Sequence, residues 1–183
     1  MMLQTGIENI ASLLEELGVS GKAVYLPAAL ANGRSAAVVP LRRNPGTFRL
    51  DRKLSHRLIV RHGPDPKDVG VAVATPGSFC YEALQEKPGP TAAELESALS
   101  HILVGMFDMA RSVSASIVDG TRVIIQVSDP RLDFGNSWFH RSLGSPVASI
   151  AATVTCEALG RPVMVASEQK LGRHGIIELE VLP

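Results

Sequence analysis

The strongest constraint on the fold is a predicted β-hairpin centred on Asp119-Gly120. Apolar residues occupy every second position on both sides of this dipeptide: Val113, Ala115, Ile117, Val123, Ile125 and Val127. An Asp-Gly pair supplies the positive φ angles that a two-residue type I′ turn requires. Alternation with a period of two places one face of each strand in a core and the other toward water. The chain therefore contains an antiparallel sheet.

A cluster of helix breakers divides the chain near its middle. Residues 87–90 read Lys-Pro-Gly-Pro, and a capping box from Thr91 to Glu94 follows directly. That box predicts the start of a long helix, because its side chains satisfy backbone N–H groups that a first helical turn leaves unpaired. We predict an N-terminal α+β lobe over 1–90 and a helix-hairpin-helix-hairpin lobe over 91–183, with one compact domain as the alternative.

A second helix, predicted over 146–159, is unusually apolar. Ser145 is suited to cap it, Pro146 to its first position and Gly160 to a left-handed residue at its end. Its only charged residue is Glu157, and valine, alanine, serine, threonine and isoleucine fill nearly every side. A helix of this composition is expected to be enclosed on more than one face.

The remaining segments complete an α+β pattern. A second hairpin follows the apolar helix, so the C-terminal half repeats the order helix, strand, strand. In the N-terminal half we predict an amphipathic helix over 6–17, two strands around an Asn32-Gly33 turn, and two more strands around the corner 63–66. The predicted fold class is α+β, an antiparallel sheet with helices packed on one face and repeated helix–strand–strand units.

Composition argues against several classes of partner and compartment. Lysine plus arginine total 18 and aspartate plus glutamate total 18, so no overall field attracts nucleic acid. A local basic cluster runs from Arg34 to Arg57, but Phe48 is its only phenylalanine, tyrosine or tryptophan, and we do not expect nucleic-acid binding. Cys80 and Cys156 lie in apolar sequence, which favours a reducing, cytoplasmic compartment. No apolar stretch approaches the ~20 residues that a membrane span needs.

The sequence indicates no catalytic residue, metal site or cofactor. The five histidines are scattered along the chain, and none has another histidine or a cysteine at metal-ligand spacing. No phosphate-binding loop, dinucleotide fingerprint or nucleophile elbow is present. An enzyme of unknown type therefore ranks last among the functions that we consider.

The segment 92–182 resembles the 4-vinyl reductase domain family, whose members bind small molecules. The similarity lies in a helix running into a hairpin with an acidic-glycine turn, then a small-residue helix, a glutamate and a closing strand. The glutamate and glycine of the family pattern are kept as Glu168 and Gly175, whereas its two cysteine positions hold Leu171 and Leu179. The resemblance implies an interior pocket for a small apolar molecule, without thiol ligands for a metal. The C-terminal pattern also resembles uncharacterised archaeal proteins.

The candidate ligand-binding residues lie where a long loop meets the second helix. Trp138 and Phe139 either line a pocket or clamp the loop onto the core. Arg141, Ser142 and Ser145 precede the helix, where free backbone N–H groups and a guanidinium can hold an anion. An ordinary serine cap with an exposed arginine is the alternative interpretation.

These features favour a small-molecule-binding or sensor module with an internal apolar pocket for a small apolar or anionic ligand. The alternative is a non-catalytic protein–protein interaction or homodimerisation domain, in which the strand 176–182 forms an exposed edge. In either case we expect a homo-oligomer.

Overall fold

The computed structural model describes residues 15–16, 18–19, 21–41, 48, 50, 53–131 and 138–183. Its helices are α1 (Pro76–Glu82), α2 (Ala92–Ser100), α3 (Trp138–Leu143) and α4 (Pro146–Leu159), and a π-helix (His101–Met106) continues α2. Its strands are β1 (Val24–Leu26), β2 (Ala36–Pro40), β3 (Ile59–Arg61), β4 (Val69–Val73), β5 (Ser112–Val118), β6 (Arg122–Ser128), β7 (Val163–Leu171) and β8 (His174–Val181). The helix predicted over 6–17 lies outside the described residues except at 15–16, which are helical.

The described strands form one antiparallel sheet of eight strands in the order β3-β4-β2-β1-β7-β8-β6-β5. The sheet has an N-terminal half (β3, β4, β2 and β1) and a C-terminal half (β7, β8, β6 and β5). The two halves meet at a short seam, where Val24 lies opposite Met164 and Tyr25 opposite Val163. The mixed α+β class is confirmed, whereas one-sided helix packing, repeated units and the division into lobes stay predictions.

The hairpin predicted around Asp119-Gly120 is confirmed. Asp119 has a φ of 52° and Gly120 a φ of 64°, and β5 and β6 pair along their whole length. On its other side β6 pairs with β8, which also pairs with β7. The edge predicted at 176–182 is therefore wrong, because hydrogen-bonded neighbours occupy both sides of β8.

The two halves of the sheet are buried differently. Inward-facing side chains of both halves join a main core around α4, including Tyr25, Val39, Val123, Ile125, Ile177 and Leu179. The N-terminal half also contributes to a second core, which contains Val24, Leu26, Val38, Phe48, Leu54 and Val60. In the C-terminal half the alternate residues of β6 and β8 are exposed or half-buried. Within the described part of the chain, coverage on both faces is thus found at the central strands β1 and β2 of the N-terminal half, whereas its edge strand β3 is covered on one face.

Helix α4 forms the centre of the main core. Every residue from Val147 to Cys156 is buried, which confirms that the helix is enclosed on more than one face. Ser145 caps its first turn, and Gly160 follows it with a φ of 62°, as predicted. Helix α1 packs against α4 so closely that a Cβ atom added to Gly77 would lie 2.3 Å from Thr153 Oγ1.

Two helical segments differ from the prediction. The helix that begins after Thr91 is α-helical to Ser100 and then π-helical, and the N–H of Phe107 donates to the Ile102 carbonyl five residues earlier. A one-residue insertion of this kind has no periodic sequence signature, because it changes the helical phase only locally. The predicted loop before α4 contains the short helix α3.

Candidate functional site

The five predicted ligand-binding residues fall into three groups. Trp138 and Phe139 begin α3, and their side chains lie outside the described part of the structure. Arg141 is exposed, whereas Ser142 and Ser145 are buried at 5% and 2% exposure. The two serines therefore belong to the protein interior, and a ligand-binding role for all five residues stays a prediction.

A carboxylate of the chain itself occupies the start of α4. Glu168, on β7, accepts a hydrogen bond from the Ser145 N–H at 2.9 Å and another from the Ser145 hydroxyl. The Ser145 Oγ in turn accepts the Ala148 N–H at 3.1 Å. Because a negative charge complements the positive end of the helix dipole, Glu168 fills the place where the sequence predicts an external anion. The negative charge of this carboxylate would repel a bound anion.

A buried phenol lies at the same end of α4. The Tyr25 hydroxyl, on β1, donates to the Leu143 carbonyl across an O–O distance of 2.5 Å. Burial raises the pKa of Tyr25 far above its usual value; hydrogen bonding from the Ser149 hydroxyl opposes this shift, and the charges of Cys156 and Glu168 add to it. The phenol is therefore neutral near pH 7, and its oxygen can still accept a hydrogen bond.

The Ser149 hydroxyl is buried in α4 beside this phenol. It lies close enough to lower the pKa of Tyr25, but its Oγ forms no hydrogen bond of good geometry with any residue that the structure describes. An unsatisfied buried hydroxyl costs about 1–3 kcal/mol, and such groups in folded proteins commonly bind water or a ligand. Ser149 therefore marks the position where a bound molecule can form a new hydrogen bond.

We call Tyr25, Ser145, Ser149 and Glu168 the polar end of α4. Three elements supply these residues: β1, the first two turns of α4 with its cap, and β7. The cluster offers a hydroxyl without a well-formed hydrogen bond and a neutral phenol, both buried, and a half-buried carboxylate.

The thiol of Cys156, which lies in α4, is not an activated nucleophile. Burial, followed by the charge of Glu157, raises the pKa of Cys156 well above its usual value. Its Sγ donates to the Thr153 carbonyl at 3.2 Å. A buried thiol with a raised pKa stays protonated and serves as a packing group.

Sequence reasoning missed Tyr25 and Ser149, and it singled out Glu168 only through the family resemblance. The available signal was a polar residue inside an otherwise apolar element. Tyr25 stands between valine and leucine in β1, and Ser149 lies among alanine, valine and isoleucine in α4. A polar side chain in such a setting needs a partner, but the sequence does not show which element provides it.

A family model matches residues 2–179, and that family is described as a domain of unknown function, DUF7982. The chain belongs to this family. No curated protein and no solved structure matches it. The DUF7982 match includes every described strand except the end of β8, so it covers both halves of the sheet. The resemblance to 4-vinyl reductase domains stays a prediction.

Among the residues that the structure describes, this DUF7982 protein has neither a metal site nor a membrane-spanning helix. No three His, Cys, Asp or Glu side chains converge as a metal site requires. No described helix combines the length and the apolar character that are needed to cross a bilayer. A cytoplasmic location stays a prediction.

Proposed function

We propose that this DUF7982 protein is a small-molecule-binding or sensor module whose ligand binds at the polar end of α4. The observation that carries the proposal is the buried Ser149 hydroxyl, which approaches the Tyr25 phenol but forms no hydrogen bond of good geometry with a described residue. A hydrogen bond formed there lies in a medium of low dielectric constant, where it is stronger than in water. In this proposal the helices pack on one face of the sheet, and the ligand lies between α4 and that face.

The site favours a small, mostly apolar and uncharged ligand with one hydrogen-bonding group. Apolar residues adjoin Ser149 on α4: Val147, Ala148, Ile150 and Ala151. Of the two ligand types that the sequence predicts, the apolar one fits better, since Glu168 already places a negative charge at the helix start. A second anion would need a compensating cation. Arg141, the cation predicted from the sequence, is exposed and does not lie buried in this cluster.

Helix α3 lies between the surface and the polar end of α4. Arg141 is exposed, whereas the next two residues, Ser142 and Leu143, are buried. The Leu143 carbonyl accepts the Tyr25 hydroxyl, and the Ser142 carbonyl accepts the Ala23 N–H at 2.8 Å. Because α3 is a short helix of six residues between the exposed Arg141 side and this cluster, we propose that the ligand enters beside it.

Native mass spectrometry of the purified protein tests this proposal. We expect an added mass under gentle conditions that is lost on denaturation, and that mass gives the composition of the ligand. Ser149→Ala should lose the adduct. Thr155→Ala is the matched control, because Thr155 carries the other buried, unpartnered hydroxyl of α4, six residues further along the helix. The control should keep the adduct.

The proposal is overturned if the wild-type protein carries no adduct and no compound of a small-molecule library raises its melting temperature. It is also overturned if Ser149→Ala and Thr155→Ala retain the ligand equally. The other predicted functions, a homodimerisation domain and an enzyme of unknown type, stay predictions.

A further inference from the structure

The two edges of the sheet are protected differently. At the C-terminal edge, the Glu96 carboxylate of α2 accepts the Ala115 N–H of β5 at 3.0 Å. This bond occupies a backbone donor that would otherwise be available to a strand of another chain. At the opposite edge, no described side chain forms such a bond with β3.

Strand β3 presents unpaired backbone groups along its outer side. Leu58 accepts a hydrogen bond from β4 at 2.8 Å, and His62 donates one to the chain just before β4 at 2.9 Å. Alternate residues of an antiparallel strand direct their N–H and C=O groups to opposite sides, so Ile59 and Arg61 direct theirs away from β4. These groups have no partner among the described residues and can bond an added strand.

A basic groove of about 680 Å³ follows this edge. Lys53, Arg57 and Arg61 line it together with Ile59, and none of its described lining residues is acidic or aromatic. The chain as a whole has a formal net charge of 0, so the positive charge is a local property of the groove. Ile59 is 50% exposed, which leaves an apolar surface between the two arginines.

We propose that the β3 edge binds an extended acidic segment of another protein, which joins the sheet as an additional strand. Ile59 and Arg61 stand at alternate positions of β3, Arg57 lies at the bend just before it, and all three line the groove. Side chains directly opposite each other in a strand pair interact most strongly. The matching segment therefore has the pattern acidic, any residue, apolar, any residue, acidic, which reads the same in both strand directions.

A second copy of the same chain does not suit this edge. Antiparallel pairing of two β3 strands about Ile59 would bring each Arg57, at the bend before β3, toward the partner copy's Arg61. Like charges that face each other directly destabilise a strand pair. The observed charges therefore favour an acidic partner over self-association.

Nucleic acid also matches the groove less well than an acidic strand. Single-stranded nucleic acid gains much of its affinity by stacking bases on aromatic side chains, and the groove has none among its described lining residues. A phosphate group could bind the arginines, but it would leave the carbonyl groups of Ile59 and Arg61 without donors. A peptide backbone supplies both donors and acceptors.

The test uses the full chain and a fluorescent peptide of about twelve residues that contains Glu-Thr-Val-Thr-Glu. We expect saturable binding by fluorescence anisotropy, and we expect the Arg57→Glu/Arg61→Glu protein to bind at least about tenfold more weakly. Lys170→Glu is the matched control, because Lys170 is an exposed cation on β7; it should bind as the wild type does. Circular dichroism establishes that each variant is folded.

A peptide with N-methylated valine separates strand addition from simple charge attraction. This peptide keeps both glutamates but loses the N–H opposite Ile59, so we expect it to bind at least about tenfold more weakly. Equal binding of the two peptides overturns the proposal. It is also overturned if the peptide fails to bind, or if a single-stranded oligonucleotide binds the groove more tightly than the peptide does. The result does not bear on the ligand proposal, since β4 and β2 separate β3 from β1.

Discussion

Strands β1 and β2 in the N-terminal half of the sheet are covered on both faces, whereas in the described part of the C-terminal half β6 and β8 are covered on one. In β1, Tyr25 faces the main core and Leu26 the second core. In β6, Ile125 faces the main core, but the neighbouring Ile124 is only half-buried on the outer face. The sequence reflects this difference, because a one-sided strand alternates between polar and apolar residues and a two-sided strand is continuously apolar.

The largest effects should come from substitutions that test this difference in coverage. Leu26→Ala and Ile125→Ala should each lower the free energy of unfolding by about 2–5 kcal/mol, since each removes a fully buried side chain. Ile124→Ala, on the open face, should lower it by less than about 1 kcal/mol. Chemical denaturation measures all three. A mild effect of Leu26→Ala would show that the N-terminal half has no second core.

The contact between β7 and the start of α4 should have the next largest effect. Glu168→Ala should lower the free energy of unfolding by about 1.5–3 kcal/mol, because it removes a charged acceptor from the Ser145 N–H and hydroxyl. Ser145→Ala should lower it by about 0.5–2 kcal/mol. Chemical denaturation of the Glu168→Ala/Ser145→Ala protein completes the double-mutant cycle. Additive effects would contradict a direct interaction, since contacting pairs are expected to couple.

Close packing of α1 on α4 gives a third prediction. Gly77→Ala should lower the free energy of unfolding by about 1–3 kcal/mol, because its new Cβ would lie 2.3 Å from Thr153 Oγ1 and 2.7 Å from the Ser149 carbonyl oxygen. Gly105→Ala is the control, since its Cβ would meet nothing nearer than 3.9 Å. Thermal unfolding measures the loss of stability in both variants. An equal loss at the two glycines would argue against this close contact.

His62 should make the stability of the N-terminal half depend on pH. It is 3% exposed and stacks on Phe48 at a centroid distance of 5.1 Å; burial lowers its pKa, although Asp68 partly opposes the shift. Below about pH 6.5 the unfolded chain therefore binds more protons at this residue than the folded chain does. The stabilising contribution is complete above that pH and is lost as the pH falls through the folded-state pKa.

Denaturation at several values between about pH 7.5 and pH 5 measures this effect. His62→Gln should flatten the dependence of stability on pH, whereas His101→Gln, at an exposed position of the π-helix, should leave it unchanged. A wild-type slope in the His62→Gln protein would mean that His62 does not carry the effect.

Local signals in the sequence predict the elements of this fold better than their assembly. The Asp119-Gly120 turn, the Thr91 capping box and the ends of α4 at Ser145 and Gly160 each depend on residues near in sequence, and all are confirmed. The order of strands depends on contacts such as Tyr25 with Val163. No periodicity encodes such a contact, because the two residues are far apart in the chain.

The polar end of α4 was likewise predicted only in the part that depends on residues near in sequence. Ser145 was identifiable as a helix cap from its neighbours alone, and it is confirmed as one. Tyr25 and Ser149 gain their importance only when β1 reaches the start of α4, and Glu168 only when β7 lies beside Ser145. The sequence therefore indicates the helix cap at Ser145, but tertiary contacts decide which other polar groups lie beside it.

A high-resolution crystal structure of the protein as purified tests the central claim most directly, namely that a small molecule binds at the polar end of α4. We predict electron density for an organic molecule within hydrogen-bonding distance of the Ser149 Oγ and beside the Tyr25 phenol. The claim is contradicted if apolar side chains fill the space around Ser149 and its hydroxyl donates to a backbone carbonyl.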